Sequence, residues 1–402
     1  MGFVGVKISK TADFDKPFRI ADGTGLLVIQ NAPATAHLAL KTVAGLNGVR
    51  DAEALGIDKS YDDTNNILAW YHIDEFFRIS PGGKLYIILD DGSLTMDELK
   101  TVIKQHQDIS FGGVVRNGAS ITDLSSFAGQ YQNMINDLQN ESFLISAWLV
   151  EGNELDPSKL ITAYEDVRAL NMPKISVVIA QDPVIRNIKS QYESHAAIGT
   201  ALGSISVRKV NENIGSVDIE KKPDAFKGQL TYSLTNAGKQ RWMSAMLQSG
   251  KDVAELSLND IQTLNAKGYL FVGYYNGFDG FYWNNSYTAV EAVSDYAHIE
   301  NNRVWDKAAK IIRKALLPRV KSNVLKDPQT GYIDEAVATG LEKLAEGKLS
   351  AMVADKECSG VGVYINPKQQ LSDDTPLVVK AKVVHNDIIH EFDVQLGLTD
   401  KL

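Results

Sequence analysis

The chain reads as a mixed α/β protein, and three observations lead there. Strand and helix signals alternate from Arg19 to about Gly203. Two strong amphipathic helices follow between Arg303 and Ala345. Both chain ends carry extended-looking apolar patterns. With 402 residues and roughly 150 residues per domain, two or three domains are expected. The expected division is an N-terminal arm over 1–18, an α/β domain over 19–203, a second α/β domain over 204–375 and a β-hairpin arm over 376–402.

In the arm, Phe3, Val4, Val6 and Ile8 read as extended, before a turn at Asp13, Asp15 and Pro17. Leu26 to Ile29 is a strand after the turn Asp22-Gly23-Thr24-Gly25, and Ala34 to Leu46 reads as a helix. Leu85 to Leu89 is a strand stopped by Asp90-Asp91-Gly92. Thr95 then opens a helix with Glu98 three residues on, a reciprocal cap, and Leu99, Val102 and Ile103 form its apolar stripe. Val114-Val115 is a strand, Ile121 to Leu138 a helix, Phe143 to Val150 a strand, Pro157 to Leu170 a helix and Ile175 to Ala180 a strand. Strands separated by helices imply βαβ units and a largely parallel sheet.

The next segment holds strand patterns at Ile205 to Val210, Leu230 to Leu234 and Tyr269 to Tyr275, with a polar helix around Arg241 to Leu247. Helices then span Arg303 to Leu317, ended by Pro318, and Ile333 to Ala345, ended by Gly347. A strand-like Val361 to Ile365 follows. In the tail, Val379, Ala381 and Val383 alternate before the turn His385-Asn386-Asp387, and Phe392, Val394, Leu396 and Leu398 alternate after it. Period two predicts a hairpin with one buried face.

Composition excludes several function classes. Hydrophobic residues are 44% and charged residues 23%, ordinary for a soluble globular chain. Cys358 is the only cysteine, so a disulfide framework is excluded and a reducing cytoplasm, or a particle assembled there, is the expected setting. Apolar runs such as Ile175 to Ala180 are far shorter than a membrane span, and no basic-then-apolar signal segment opens the chain. A net charge of −9 argues against a global phosphate-binding surface, so neither nucleic acid nor membrane insertion is expected.

Catalytic and cofactor motifs are missing. There is no G-x-x-x-x-G-K-[ST], no G-x-G-x-x-G in the first βα turn and no G-x-S-x-G. His385 and His390 have no zinc spacing, and Cys358 has no local base, which fits a small buried thiol. The pairs Asp62-Asp63, Asp90-Asp91 and Asp373-Asp374 fall in turn-like sequence. Neither a catalytic residue, a metal nor a cofactor is expected. The alternative is an α/β enzyme using Asp90, Asp91 and Asp182, which lie just past strands where such sites form.

Surfaces stand out instead. Arg303, Lys307, Lys310 and Lys314 fall in one narrow arc of their helix, opposite Val304, Ala308, Ile311, Ile312 and Ala315. From Arg303 to Lys321 the net charge is +6, leaving −15 elsewhere. Two readings stand, a solvated lysine face and a dock for an acidic protein surface, with nucleic acid a distant third because no aromatic residue interleaves the basic ones. The next helix reverses the polarity, with Glu335, Glu342 and Glu346 opposite Ile333, Val337, Leu341 and Leu344. Apolar strand signals at both ends raise the prospect of strand exchange between copies, which builds open rings, helices or filaments.

One long stretch carries a resemblance. It comprises Asp279-Gly280-Phe281-Tyr282, Tyr287-Thr288-Ala289-Val290, Ser294-Asp295-Tyr296-Ala297-His298-Ile299-Glu300-Asn301-Asn302-Arg303-Val304, Trp305-Asp306-Lys307-Ala308 and Arg313-Lys314-Ala315-Leu316-Leu317-Pro318. Ser206-Val207-Arg208-Lys209-Val210-Asn211-Glu212-Asn213-Ile214, Thr330-Gly331-Tyr332-Ile333 and the closing hairpin add to it. These residues resemble the C-terminal part of contractile tail sheath proteins of phages, tailocins and injection systems. The nearest likeness is to a compact sheath-like family of Bacteroides-type phages and prophages, first catalogued as a domain of unknown function. Trp283-Asn284-Asn285-Ser286 departs from the pattern, where many sheaths carry Gly and Arg before the Thr.

The resemblance implies a sheath-type C-terminal α/β domain with extended β-strand terminal arms, and a structural role in a virion tail or an injection system. Copies would stack as hexameric rings around a tail tube protein, between baseplate and tail terminator proteins. The arms, with Phe3, Val4, Val6, Ile8, Phe392, Val394, Leu396 and Leu398, would exchange strands. Arg303, Lys307, Lys310 and Lys314 become candidates for docking to the tube.

Overall fold

The computed structural model describes residues 23–118, 121, 123–219, 231–372, 375–394, 396 and 398. The expected arm strand of Phe3, Val4, Val6 and Ile8 lies outside the described residues. The chain divides into two compact units, Met1–Ser322 and Asn323–Leu402.

In the first unit the elements run β1 (Thr24–Gln30), β2 (Val43–Leu46), α1 (Val49–Ala54), α2 (Lys59–Asn65), α3 (Ala69–Ile79), β3 (Lys84–Asp90), α4 (Met96–Gln105), β4 (Phe111–Val115), α5 (Leu124–Asn140), β5 (Trp148–Glu151) and β6 (Ile175–Val178). Then come β7 (Ala180–Gln181), α6 (Pro183–Arg186), α7 (Ile198–Val207), β8 (Met246–Leu247), α8 (Leu258–Lys267), β9 (Tyr269–Leu270), β10 (Val272–Tyr275), β11 (Phe278–Trp283) and α9 (Ile299–Leu316). Seven strands form one sheet in the order β2-β3-β1-β4-β5-β6-β9. Only β2 pairs antiparallel in it.

The inner strands are apolar without alternation because helices cover both faces. A Cβ added at Gly112 would meet Trp148, whose indole stacks on Tyr131 of α5 with centroids 5.2 Å apart, whereas one at Gly113 would meet Ile198 of α7. Successive strand residues face opposite ways, so α5 and α7 lie on opposite faces. The Thr95–Glu98 reciprocal cap forms as expected and starts α4.

Several expectations are corrected. Ala34 to Leu46 is not helical: the Thr35 hydroxyl accepts from the amides of His37 and Leu38 at 3.2 and 2.9 Å, a local turn that competes with a helix, and Val43–Leu46 takes the open edge of β3. Pro157 to Leu170 holds only two short 3-10 turns, since Glu154 captures the Glu165 amide at 2.7 Å and Asp166 caps the second turn. Ile205–Val207 ends α7 rather than opening a strand. The polar helix around Arg241 is replaced by a turn in which Gln240 and Trp242 both have φ of 52°. The boundary expected after Gly203 falls inside α7, and the main sheet takes its last strand, β9, from beyond it.

The second unit contains α10 (Glu335–Ala354) and the antiparallel pair β12 (Gly360–Tyr364) and β13 (Lys380–Val384). The α10 helix does not stop at Gly347 but runs to Ala354, with Ala345, Leu349 and Met352 buried. The tail hairpin is also corrected. Ala381 and Val383 pair with Val363 and Val361, upstream, and no strand is assigned among the described residues from His385 onward.

Candidate assembly surfaces

The basic arc of α9 does not act as one surface. Arg303 is 4% exposed, and its guanidinium donates to the carbonyls of Lys209 and Arg208 at 2.9 and 3.1 Å. Those carbonyls lie just past the end of α7, so Arg303 closes a helix C-terminus from inside. It is removed from the docking set. Asp306 of the same helix is buried against the Lys174 ammonium at 2.9 Å, and Asn302 donates to the Pro173 carbonyl at 2.9 Å. The first half of α9 is thus held in the body. Past Ala308 no α9 side chain is fully buried. Lys307 and Lys310 are half-buried and Lys314 is exposed, with its ammonium pushed to lower pKa first by partial burial and then by Lys310. Arg313 donates to the Ser142 hydroxyl at 2.7 Å.

Trp283-Asn284-Asn285-Ser286, the departure from the sheath pattern, is an internal latch. The Trp283 indole donates to Ser204 of α7 at 3.0 Å, and Asn284 accepts from the Phe271 amide at 2.9 Å while donating to the Tyr269 carbonyl at 3.0 Å. The Asn213 amide donates to Asn285, Ser286 and Glu300 at 2.7, 2.9 and 2.9 Å. The Ser286 hydroxyl donates to the other oxygen of Glu300. Burial pushes the Glu300 carboxyl above its ordinary pKa, and these donors work against that shift. Sequence reading missed the node because its members lie in three separate stretches; the polar run Asn284-Asn285-Ser286 beside aromatic residues is the one local signal of it.

The strand-end carboxylates serve the backbone. Asp90 accepts from the amides of Gly92 and Leu94, both at 2.9 Å, and Asp91 accepts from the Ser93 amide at 3.2 Å. Asp182 caps α6 through the Val184 amide at 3.1 Å and accepts from the Trp242 amide at 3.2 Å. The crevice where doubly wound sheets hold ligands would lie between the C-terminal ends of β1 and β4. Here Asn31 donates to the Arg116 carbonyl at 3.1 Å and Asn117 to the Gln30 carbonyl at 2.9 Å, so the chain's own side chains bridge it. Cys358 is buried and its thiol is pushed up by burial. Among the described residues no group of three or more His, Cys, Asp or Glu is placed to hold a metal, and no helix is long and apolar enough to cross a membrane.

In the second unit the tail leaves β13 at Val384. Asn386 fastens the exit, donating to the Lys356 carbonyl at 2.9 Å and accepting from Ser359 at 2.8 Å. Beyond it Phe392 is 77% and Leu396 90% exposed, with Val394 and Leu398 similarly bare. Four large apolar side chains at every second position thus project from a unit whose own sheet has two strands. Glu342 of α10 is not on the free face: it accepts from the Ile365 amide at 2.6 Å.

Among curated proteins none is similar in sequence. Solved structures share the fold along the whole chain. The helical sheath of the anti-feeding prophage in its contracted state matches with a TM-score of 0.63 at 14% identity, covering 100% of both chains. The contracted sheath of the PVC extracellular contractile injection system gives 0.58 at 11%, covering 100% of this chain and 98% of that one. The sheath tail protein of Desulfitobacterium hafniense gives 0.54 at 8%, covering 94% and 100%. The fold is therefore that of contractile sheath proteins. Residues 19–287 match the N-terminal domain of DUF2586, a domain of unknown function, and residues 295–402 match its C-terminal domain, so the chain belongs to the DUF2586 family.

Proposed function

We propose that the protein is a structural subunit of a contractile tail sheath, stacking as hexameric rings around a tail tube and contracting to drive the tube through a host envelope. The observation that carries this is the agreement of fold with a contractile sheath end to end. The tail from Asp387 onward supports it physically. Exposed apolar side chains at alternate positions are stable only against a partner, and an edge of a neighbouring copy's β12–β13 sheet offers backbone donors and acceptors. The role needs no catalytic group. Partners beyond other copies are the tube protein, which Lys307, Lys310 and Lys314 of α9 would meet, and the baseplate and tail terminator proteins. The place of action is the tail of a virion, with assembly in the bacterial cytoplasm. A second reading, an injection-particle sheath, is favoured by the higher agreement with the two injection-system sheaths.

Removing residues 388–402 tests the proposal. Asn386 and β13 remain, so the second unit keeps its sheet. The expected result is a folded protein that forms no long tubes in negative-stain images. Normal tubes from this variant would overturn the strand-exchange reading.

A further inference from the structure

Three buried polar groups lie together where α3 meets the segment leading into α7. Tyr71, His72 and His195 are 2%, 0% and 6% exposed. Their ring centroids are 5.1, 5.7 and 6.4 Å apart. The Tyr71 hydroxyl and the Nε2 atoms of both histidines have no partner among the described residues. Orphaned buried polar atoms are costly, so a group of three calls for a physical explanation.

The tautomers follow from the other ring nitrogens. The Gly199 amide donates to His72 Nδ1 at 3.1 Å, so Nδ1 is bare and Nε2 carries the hydrogen. His195 Nδ1 lies 2.6 Å from the Tyr192 carbonyl oxygen. The Gln181 amide beside it directs its hydrogens to the carbonyls of Glu193 and His195, both at 2.8 Å. His195 Nδ1 therefore carries the hydrogen and its Nε2 is the bare acceptor. One imidazole offers a donor and the other an acceptor. A direct N–H···N bond of about 2.9 Å would bring the centroids within roughly 5.2 Å. The observed 6.4 Å is too long for that, so the two Nε2 atoms do not satisfy each other and each needs another partner.

We propose that Tyr71, His72 and His195 enclose a single bridging water, and that this bridge makes the seam between α3 and α7 acid-sensitive. The water accepts from His72 Nε2–H, donates to His195 Nε2 and uses Tyr71 Oη as its third partner. Protonating His72 puts a hydrogen on Nδ1, facing the Gly199 amide, donor against donor. Protonating His195 removes the acceptor. Either change acts on a close helix contact, where a methyl at Gly199 would collide with the His72 backbone and one at Gly203 would lie 2.8 Å from the Phe76 carbonyl oxygen.

Several of the surrounding charges are paired. Glu75 of α3 binds Arg78 through two contacts of 2.7 Å, with Arg241 at 3.4 Å. Arg241 also lies 5.3 Å from the Tyr71 ring centroid. Asp182 and Arg186 face the site from the segment before α7, with Glu193 at 3.9 Å from Arg186. Asp62 of α2 accepts from the Tyr71 amide at 3.0 Å, and Asp74 of α3 pairs with Lys239 at 3.0 Å. Burial holds both imidazoles below their ordinary pKa, His195 at about 4, with His72 further depressed by His195 and His195 by Arg186. The pair is thus neutral at pH 7.

The test uses the full chain with 15N-labelled histidine. Long-range proton–nitrogen spectra, assigned with H72Q and H195Q, are expected to show Nε2–H at His72 and Nδ1–H at His195. A crystal structure at 1.5 Å or better, a threshold at which ordered water is plain, is expected to show density within hydrogen-bond reach of both Nε2 atoms. The Gly199 amide, corrected for chemical exchange, is expected to exchange at least about tenfold faster at pH 4 than at pH 7. Reversed tautomers, or rings in direct contact, would overturn the bridge. Unchanged Gly199 protection across that range would overturn the acid sensitivity.

Discussion

Asn213 donates its side-chain amide to the Glu300 carboxylate at 2.9 Å across 87 positions of chain. This bond ties the loop after α7 to the first turn of α9, so α9 is oriented by a buried polar node and not by its own lysines. Asn213→Ala leaves Asn285, Ser286 and Glu300 each short of a donor. A loss of about 2 kcal/mol is expected, read as a lower urea midpoint at constant slope. Glu300→Gln keeps an acceptor for Asn213 but turns the group facing Ser286 from acceptor into donor, which the Ser286 hydroxyl answers by rotating to accept, and is expected to cost less than about 1 kcal/mol.

The four basic residues of the α9 arc should separate by mutation. Lys310→Glu with Lys314→Glu is expected to leave the protein folded and to abolish co-sedimentation with tubes. Arg303→Glu places a carboxylate against the Lys209 and Arg208 carbonyls and is expected to prevent folding. Intact tube binding by the double lysine variant would remove α9 as the dock.

Gly199→Ala tests the helix seam. The position needs no left-handed backbone, so any cost is steric. Overpacking against the His72 backbone is expected to cost about 3 kcal/mol, and to lower the melting temperature by about 4 °C.

Asp182 gives a pH signature. Burial raises its carboxyl from 3.8 to about 6, so the folded state holds the proton more tightly than the unfolded state. Stability from this group is full below pH 3.8 and is lost as pH rises through about 6. The loss over that window is about 3 kcal/mol. In Asp182→Asn the term vanishes. The difference in stability between the variant and the parent protein should therefore shift in the variant's favour between pH 4 and pH 6 and stay constant above. A difference independent of pH would show that the carboxyl titrates normally.

Much of the fold was legible because its signals are local. The apolar runs at Leu26, Leu85 and Ile175 form strands of the parallel sheet, the Thr95–Glu98 cap starts α4, and Pro318 follows the end of α9. The helices at 49–79 went unread because buried Asp62, His72, Asp74 and Glu75 break the apolar stripe that identifies a helix. Likewise Ile205–Val207 has strand-like residues but completes α7, where Gly199 and Gly203 let two backbones approach.

The sequence by itself determined the α/β class, the likeness to sheath proteins and the alternating apolar tail, since period, caps and composition act within a few residues. Only the tertiary structure decided which charges are surfaces. Arg303 and Lys314 share one helical arc, yet one closes a helix end inside the protein and the other faces solvent. Helical geometry sets the direction of a side chain, whereas burial depends on what distant segments place in front of it.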